Sequence, residues 1–296
     1  MDRRTFLVVM LGTSLVPAFS SKVLGARGNL KGFMLSSDIR TLSGDINRIA
    51  DLGGSIVRFP IYLSRTYIPL SEWFRMLDVA YEVTSRRNMT LVIDLHHPSS
   101  VEGSVIQDAD YFVSVWSQIA QRFSSRRRVW YDLCNEPEPR TPQGLKWEDV
   151  ALRAARAIRR YDTRHKIVYS HVSDRIYALK NFRPLPGISR QVLQFHFWNW
   201  KDDGIQSPEP PFSPYPNGNR FTKATMENRL RLVYDIGQKY GMPIYIGEVG
   251  ISSQHPNAPR FLRDFLSLCD QFGFPVTIHA YREAPVWNYE TNQIPH

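Results

Sequence analysis

The chain has 296 residues, 43% of them hydrophobic and 12% aromatic, enough for one α/β barrel of about 250 residues or for two smaller domains. Its formal net charge of +9 is scattered over a basic N-terminal segment and the runs Arg86-Arg87, Arg126-Arg127-Arg128 and Arg159-Arg160, which excludes the converging basic surface that nucleic acid needs. Two cysteines, Cys134 and Cys269, form no CxxC pair, which argues against a structural zinc; both read as small core residues, and a disulfide between them is open but unsupported by their positions.

Asp2-Arg3-Arg4-Thr5-Phe6-Leu7 opens an apolar run from Phe6 to Phe19. That run is too short to span a bilayer comfortably, and the paired arginine followed by Phe-Leu resembles a twin-arginine export signal. The expected leader is residues 1–26, with cleavage after Ala18 or Ala26 both open. The mature chain is expected to be a periplasmic or secreted monomer without stable membrane insertion.

Short apolar strands then alternate with amphipathic helices. Expected strands are Lys31–Leu35, Ser55–Phe59, Thr90–Leu95, Val129–Cys134, Lys166–Ser170, Gln191–His196, Pro243–Gly247 and Pro275–His279. Several are unbroken apolar runs, the pattern of parallel strands buried on both faces. Expected helices are Ser43–Leu52, Ser71–Arg86, Asp108–Phe123, Trp147–Tyr161, Lys223–Tyr240 and Ala258–Phe272. Ser71 and Thr222 or Thr225 read as helix starts, and Gly53 and Gly241 as stops. Eight strands with intervening helices predict a single-domain (β/α)8 TIM barrel over residues 29–296. Its closing helix is expected to be short or missing, since seventeen residues follow His279. Helix is also sparse between the fifth and sixth strands. The proline-rich stretch Lys201–Phe221 follows the sixth strand and is expected to wall a substrate groove on the C-terminal face.

Two glutamates share one setting. Val129–Cys134 runs into Asn135-Glu136-Pro137, and Pro243–Gly247 runs into Glu248. Two acidic groups at the same end of two parallel strands are what glycosidic-bond cleavage requires. The other strand ends supply Arg58, His96-His97, His196 with Trp198, and His279 with Arg282. Strand alternation lets only one of the adjacent histidines face the axis. Asp132, Glu138 and Glu283 read as structural or rim carboxylates.

Val57-Arg58-Phe59-Pro60, Ile93-Asp94-Leu95-His96-His97, Asn135-Glu136-Pro137, Phe195-His196-Phe197 and Ile246-Gly247-Glu248 occur in the order found in glycoside hydrolase family 5, which the chain resembles over nearly all of its mature length. The resemblance implies a retaining mechanism without a cofactor, with Glu136 as general acid/base and Glu248 as nucleophile. It also implies that Arg58 supports the nucleophile and that His96, Asn135 and His196 shape the sugar site. Two departures bear on substrate. Trp198 stands where many members carry a tyrosine that contacts the nucleophile. His279 stands where the eighth strand usually ends in a tryptophan flooring the sugar site. Trp287 either folds back as that platform or packs in the core.

The implied substrate is a polysaccharide or oligosaccharide, a β-1,4-glucan first, with mannan or another β-glycan as the alternative within the family. Outside it stand a metal-dependent barrel hydrolase using His96, His97, His196 and a carboxylate, and a silent carbohydrate-binding barrel. Adjacent histidines that point to opposite faces argue against the first, and two retained carboxylates argue against the second.

Overall fold

The computed structural model describes residues 29–36, 38–63, 68–96, 108–171, 176–198, 215–216, 221–282 and 284–287. Eight parallel strands close into a barrel in chain order: β1 (Lys31–Leu35), β2 (Ile56–Tyr62), β3 (Thr90–His96), β4 (Val129–Asp132), β5 (Lys166–Ser170), β6 (Gln191–Phe197), β7 (Ile244–Val249) and β8 (Val276–Tyr281). Around them lie α1 (Ile39–Asp51), α2 (Leu70–Arg86), α3 (Ala109–Phe123), α4 (Trp147–Arg159), α5 (Lys223–Tyr240) and α6 (Ala258–Phe272). Between β5 and β6 the described residues hold only a 3₁₀ turn, Ile176–Asn181, and after β8 only another, Pro285–Trp287. The (β/α)8 barrel expected from the alternation is therefore present, and among the described residues helix is thin between β5 and β6 as anticipated, while residues 288–296 lie outside the described residues.

Caps set several helix boundaries. α1 starts at Ile39, earlier than expected at Ser43, because Asp38 accepts a hydrogen bond from the Arg40 backbone N–H. Thr222 and Thr225 form a reciprocal capping box at the start of α5, and Gly241 ends that helix at φ 61°. Ser71 is not a cap, since α2 begins after Pro69. The leader and most of Lys201–Phe221 lie outside the described residues. Tyr215 is described and buried against Phe221 and Phe261, its hydroxyl 2.9 Å from Asp264 on α6.

Every residue of β3, β4, β6 and β7 is buried. Side chains on alternate positions split between two cores. Those pointing outward join the large apolar layer beneath the helices, whereas Ile56, Val92, Trp130, Val168, Val192 and Tyr245 plug the barrel interior. Two positions further along four of these strands, the same inward face carries Arg58, Asp94, Asp132 and Gln194. The interior thus changes from apolar to ionic within one strand repeat, just below the C-terminal face.

Candidate active site

Arg58 is the hub of this ionic layer and is fully buried. Its Nε donates to Asp132 Oδ2 at 2.9 Å, Nη1 to Glu248 Oε1 at 2.6 Å, and Nη2 to Asn135 Oδ1 at 3.0 Å. Nη2 also lies 3.1 Å from Asp94 Oδ1, whose Oδ2 is 2.7 Å from His96 Nδ1. One guanidinium therefore faces three carboxylates. Burial, resisted by Arg58 and reinforced by the Asp94 anion, pushes Asp132 up to about 7. The Arg58 guanidinium stays charged against the cost of burial because Asp94, Asp132 and Glu248 surround it.

Glu248 reaches the axis through a bulge. Phe195 pairs with Ile246 and His196 with Glu248, so Gly247 is an extra residue in the β6–β7 ladder. Tyr245 points into the interior and Ile246 out to the helix layer; strict alternation would therefore send Glu248 outward. The bulge resets the alternation, the re-aiming for which such irregularities are found beside active sites. A Cβ on Gly247 would sit 2.7 Å from Gln194 Cδ and 2.9 Å from His196 Nε2, which is why this position is bare.

The second oxygen of Glu248 meets three ring N–H carriers. Trp198 Nε1 donates to Oε2 at 3.2 Å, and Nδ1 of His196 and of His279 each lie 3.6 Å from it. Burial alone would raise the Glu248 pKa, but His196, His279, Arg58 and His96 outweigh it and hold the carboxyl well below its usual range. His196 bridges the two glutamates, because its Nδ1 is also 2.9 Å from Glu136 Oε1. Burial opposes charge on this imidazole, yet Glu248 and Glu136 prevail and raise it to about 9. Its Nε2 lies 3.1 Å from Gln194 Nε2.

Glu136 follows β4 in a left-handed backbone conformation, φ 39°, uncommon for a residue with a side chain. It is the more open of the pair, with 30% of its side chain exposed against 5% for Glu248. An oxygen of Glu136, His196 Nδ1 or Nε2 and an oxygen of Glu248 all lie within 4.8 Å of one another, among the described residues the only convergence of groups able to hold a metal ion.

The expected site residues Arg58, His96, Asn135, Glu136, His196, Trp198 and Glu248 are brought to one end of the barrel. His96 takes the interior side of β3, and His97 lies outside the described residues. Trp287 is on the cleft side rather than in the core: its ring centroid is 5.2 Å from that of Trp198 and 5.7 Å from that of His279. Hydrogen bonds from the Ser253 backbone N–H to Val286 O and from its hydroxyl to Pro285 O hold that turn against the loop after β7. The sequence reading did not single out Asp94 or Gln194, and it placed Asp132 among the structural carboxylates. Their signal was available, since each is a polar residue two positions after an interior apolar one. Glu248 lies within β7 rather than beyond it, and β8 continues through His279 to Tyr281. Both cysteines are free and buried. Beside Tyr62, whose ring lies 5.2 Å from that of His96, a cavity of about 890 Å³ opens between Ser36, Asp38, Glu72 and Arg282.

A closed eight-stranded barrel with paired carboxylates at its C-terminal mouth is the architecture of a glycoside hydrolase. The chain belongs to glycosyl hydrolase family 5, whose cellulase model matches residues 20–267. It is 26% identical over 330 residues to Endoglucanase 3 of Fibrobacter succinogenes, an alignment covering 89% of this chain and 48% of that protein, so the chain spans about half the length of that relative. A shorter match, 32% over 94 residues, links 30% of this chain to 24% of the manganese dependent endoglucanase Eg5A of Phanerodontia chrysosporium. The cellulose synthase subunit Z of Clostridioides difficile superposes with a TM-score of 0.71 at 19% identity, covering 88% of this chain and 93% of that one. Thermotoga maritima Cel5A, solved with cellobiose, also gives 0.71, at 17% identity over 88% of this chain and 91% of that one. The described helices include none long and apolar enough to cross a membrane.

Proposed function

We propose that the chain is an exported, retaining endo-β-glycosidase that hydrolyses β-1,4-linked glucan by double displacement, with Glu248 as nucleophile and Glu136 as general acid/base. The observation that carries this reading is the spacing of the pair. Oxygens of Glu136 and Glu248 lie within 4.8 Å of each other, close to the roughly 5–5.5 Å of retaining enzymes and far from the roughly 6.5–9.5 Å that inverting ones need to admit a water.

In the first step Glu248 attacks the anomeric carbon, the bond to the aglycone breaks, and the departing oxygen takes its electron pair and the proton of Glu136. In the second step water attacks the same carbon, gives its proton to Glu136, and the ester electron pair returns to Glu248. Arg58 and the imidazoles keep Glu248 ionised for attack. The bond from Arg58 to its Oδ1 orients the Asn135 amide, whose Nδ2 can donate to a sugar 2-hydroxyl. His96 and His196 line the sugar site, and the Trp198–Trp287 pair supplies an aromatic wall. The cavity beside Tyr62 gives room for a chain extending past the scissile bond, which favours endo cleavage.

The name of the Fibrobacter relative favours glucan. A second Thermotoga maritima Cel5A structure contains a mannotriose substrate, so mannan is the competing substrate. The test is hydrolysis of soluble β-glucan, mannan, xyloglucan and xylan, with the anomer of the first product followed by NMR. Initial release of the β-anomer from β-glucan supports the reading, and initial release of the α-anomer overturns it. For export, the doublet Arg3-Arg4 motivates a paired change to lysine; undiminished appearance of that variant outside the cytoplasm would remove the twin-arginine route.

A further inference from the structure

We propose that the indole N–H of Trp198 is the donor that assists departure of Glu248 in the second half of the reaction, acting on the oxygen that carries the sugar. This deepens the reading above and rests on it. The two oxygens of Glu248 are inequivalent. Oε1 is tied to Arg58 Nη1 at 2.6 Å, in the ionic layer beneath the site. Oε2 lies beside the His196 Nδ1 that also binds Glu136 Oε1, so Oε2 is the oxygen on the acid/base side and the one placed to bond the anomeric carbon. Trp198 Nε1 is 3.2 Å from that same atom.

The seat of Trp198 is built. A Cβ on Gly250 would lie 2.5 Å from Trp198 Cζ3 and 2.6 Å from Cη2, so only a glycine lets the indole settle against the chain just after the nucleophile. His279 and Trp287 close the other sides, with ring centroids 5.2 Å away in each case. Phenylalanine in this seat would keep the aromatic wall and lose the donor.

The direction of the effect follows from where charge resides. Oε2 is anionic in the free enzyme, loses that charge as its bond to the anomeric carbon forms, and regains it as the bond breaks. A donor on Oε2 therefore stabilises what the second step makes and what the first step consumes. Removing it slows deglycosylation and leaves glycosylation unchanged or slightly faster. Arg58, on Oε1, faces the carbonyl oxygen of the ester and remains bound throughout.

The test compares wild-type enzyme with Trp198→Phe and Trp198→Tyr on an aryl β-cellobioside with an activated leaving group, after thermal melts show each variant folded. The expectation for W198F is a kcat lower by roughly 10- to 100-fold, a KM lowered with it, and a near-constant kcat/KM. A burst of aryl product and a glycosyl-enzyme visible by intact mass spectrometry accompany them. W198Y, which keeps a donor, recovers part of kcat. An unchanged kcat in W198F, or a raised KM without burst or accumulated ester, overturns the inference and leaves Trp198 as wall alone. A measurement on the unaltered enzyme covers a variant that does not fold. Trapping with a 2-deoxy-2-fluoro cellobioside should shift the Trp198 indole proton upfield as Oε2 becomes an ester oxygen; an unmoved proton sinks the idea. Failure of the wild type to be labelled at Glu248 removes the ester itself and overturns both this inference and the double displacement beneath it.

Discussion

Arg58 and Glu248 stand 190 residues apart in the chain and 2.6 Å apart in the barrel, joined by a buried ion pair. Arg58 also serves Asp94 and Asp132, so the position of Glu248 depends on a shared cation. Replacing Arg58 with Met would leave three buried carboxylates without it. We expect a loss of about 3–5 kcal/mol in chemical denaturation and activity lowered by orders of magnitude. Adding Asp132→Asn should return part of the stability, because it removes one anion from the cluster; no recovery would mean that the two side chains act independently.

The two glutamates should respond differently to substitution. Glu248→Ala should abolish turnover on every substrate. Glu136→Ala should lose orders of magnitude on polysaccharide while keeping the first step on an aryl glycoside whose leaving group needs no proton. Added azide should then raise its rate and yield a β-glycosyl azide. Equal losses on both substrate types would refute the assignment of the acid.

Charge on His196 couples pH to folding. Its value rises from 6.5 to about 9 in the folded chain, so the folded state binds this proton more tightly than the unfolded one. That contribution is complete below about pH 6.5 and disappears as pH rises through about 9. Glu248 contributes in the opposite sense, being held low, so its stabilisation is present above the ordinary glutamate range and lost on acidification. Denaturation midpoints between pH 6 and 10 should fall for the wild type and stay flatter for His196→Asn. Parallel curves would exclude His196 as the source.

Gly247→Ala tests the bulge. The added methyl meets Gln194 and His196 in a packed interior, and overpacking of this kind costs roughly 1–3 kcal/mol. Activity should fall further than stability, since the displaced groups hold the bridge between the glutamates. A variant with native kcat would show that the interior yields freely.

Dialysis against EDTA addresses the convergence of Glu136, His196 and Glu248. Under the double-displacement reading, activity is unchanged by the chelator and by later addition of manganese. A loss that manganese restores would favour the metal-dependent alternative.

Much of the architecture was legible because its causes are local or periodic. Unbroken apolar runs report burial on both faces, and the intervening amphipathic stretches report helices, so eight strands in order were readable before any contact was known. Glu136 and Glu248 stood out because each ends such a run. Asp38 was missed as the cap of α1, although the apolar stripe of Leu42, Ile46 and Ile49 already begins in the first helical turn, ahead of Ser43. Asp132 was read as structural, and strand position alone does not reveal that its partner across the barrel is Arg58.

By itself the sequence determined the barrel, the strand that carries each glutamate, and that only one of the adjacent histidines ending β3 faces the axis, since alternation and hydrophobic periodicity act within one element. Only the tertiary structure decided that one guanidinium serves three carboxylates, that a bulge at Gly247 turns Glu248 inward, and that Trp198 donates to its outer oxygen. Those relations arise from ring closure and ladder register between strands far apart in the chain, where neighbours in space leave no shared pattern in sequence.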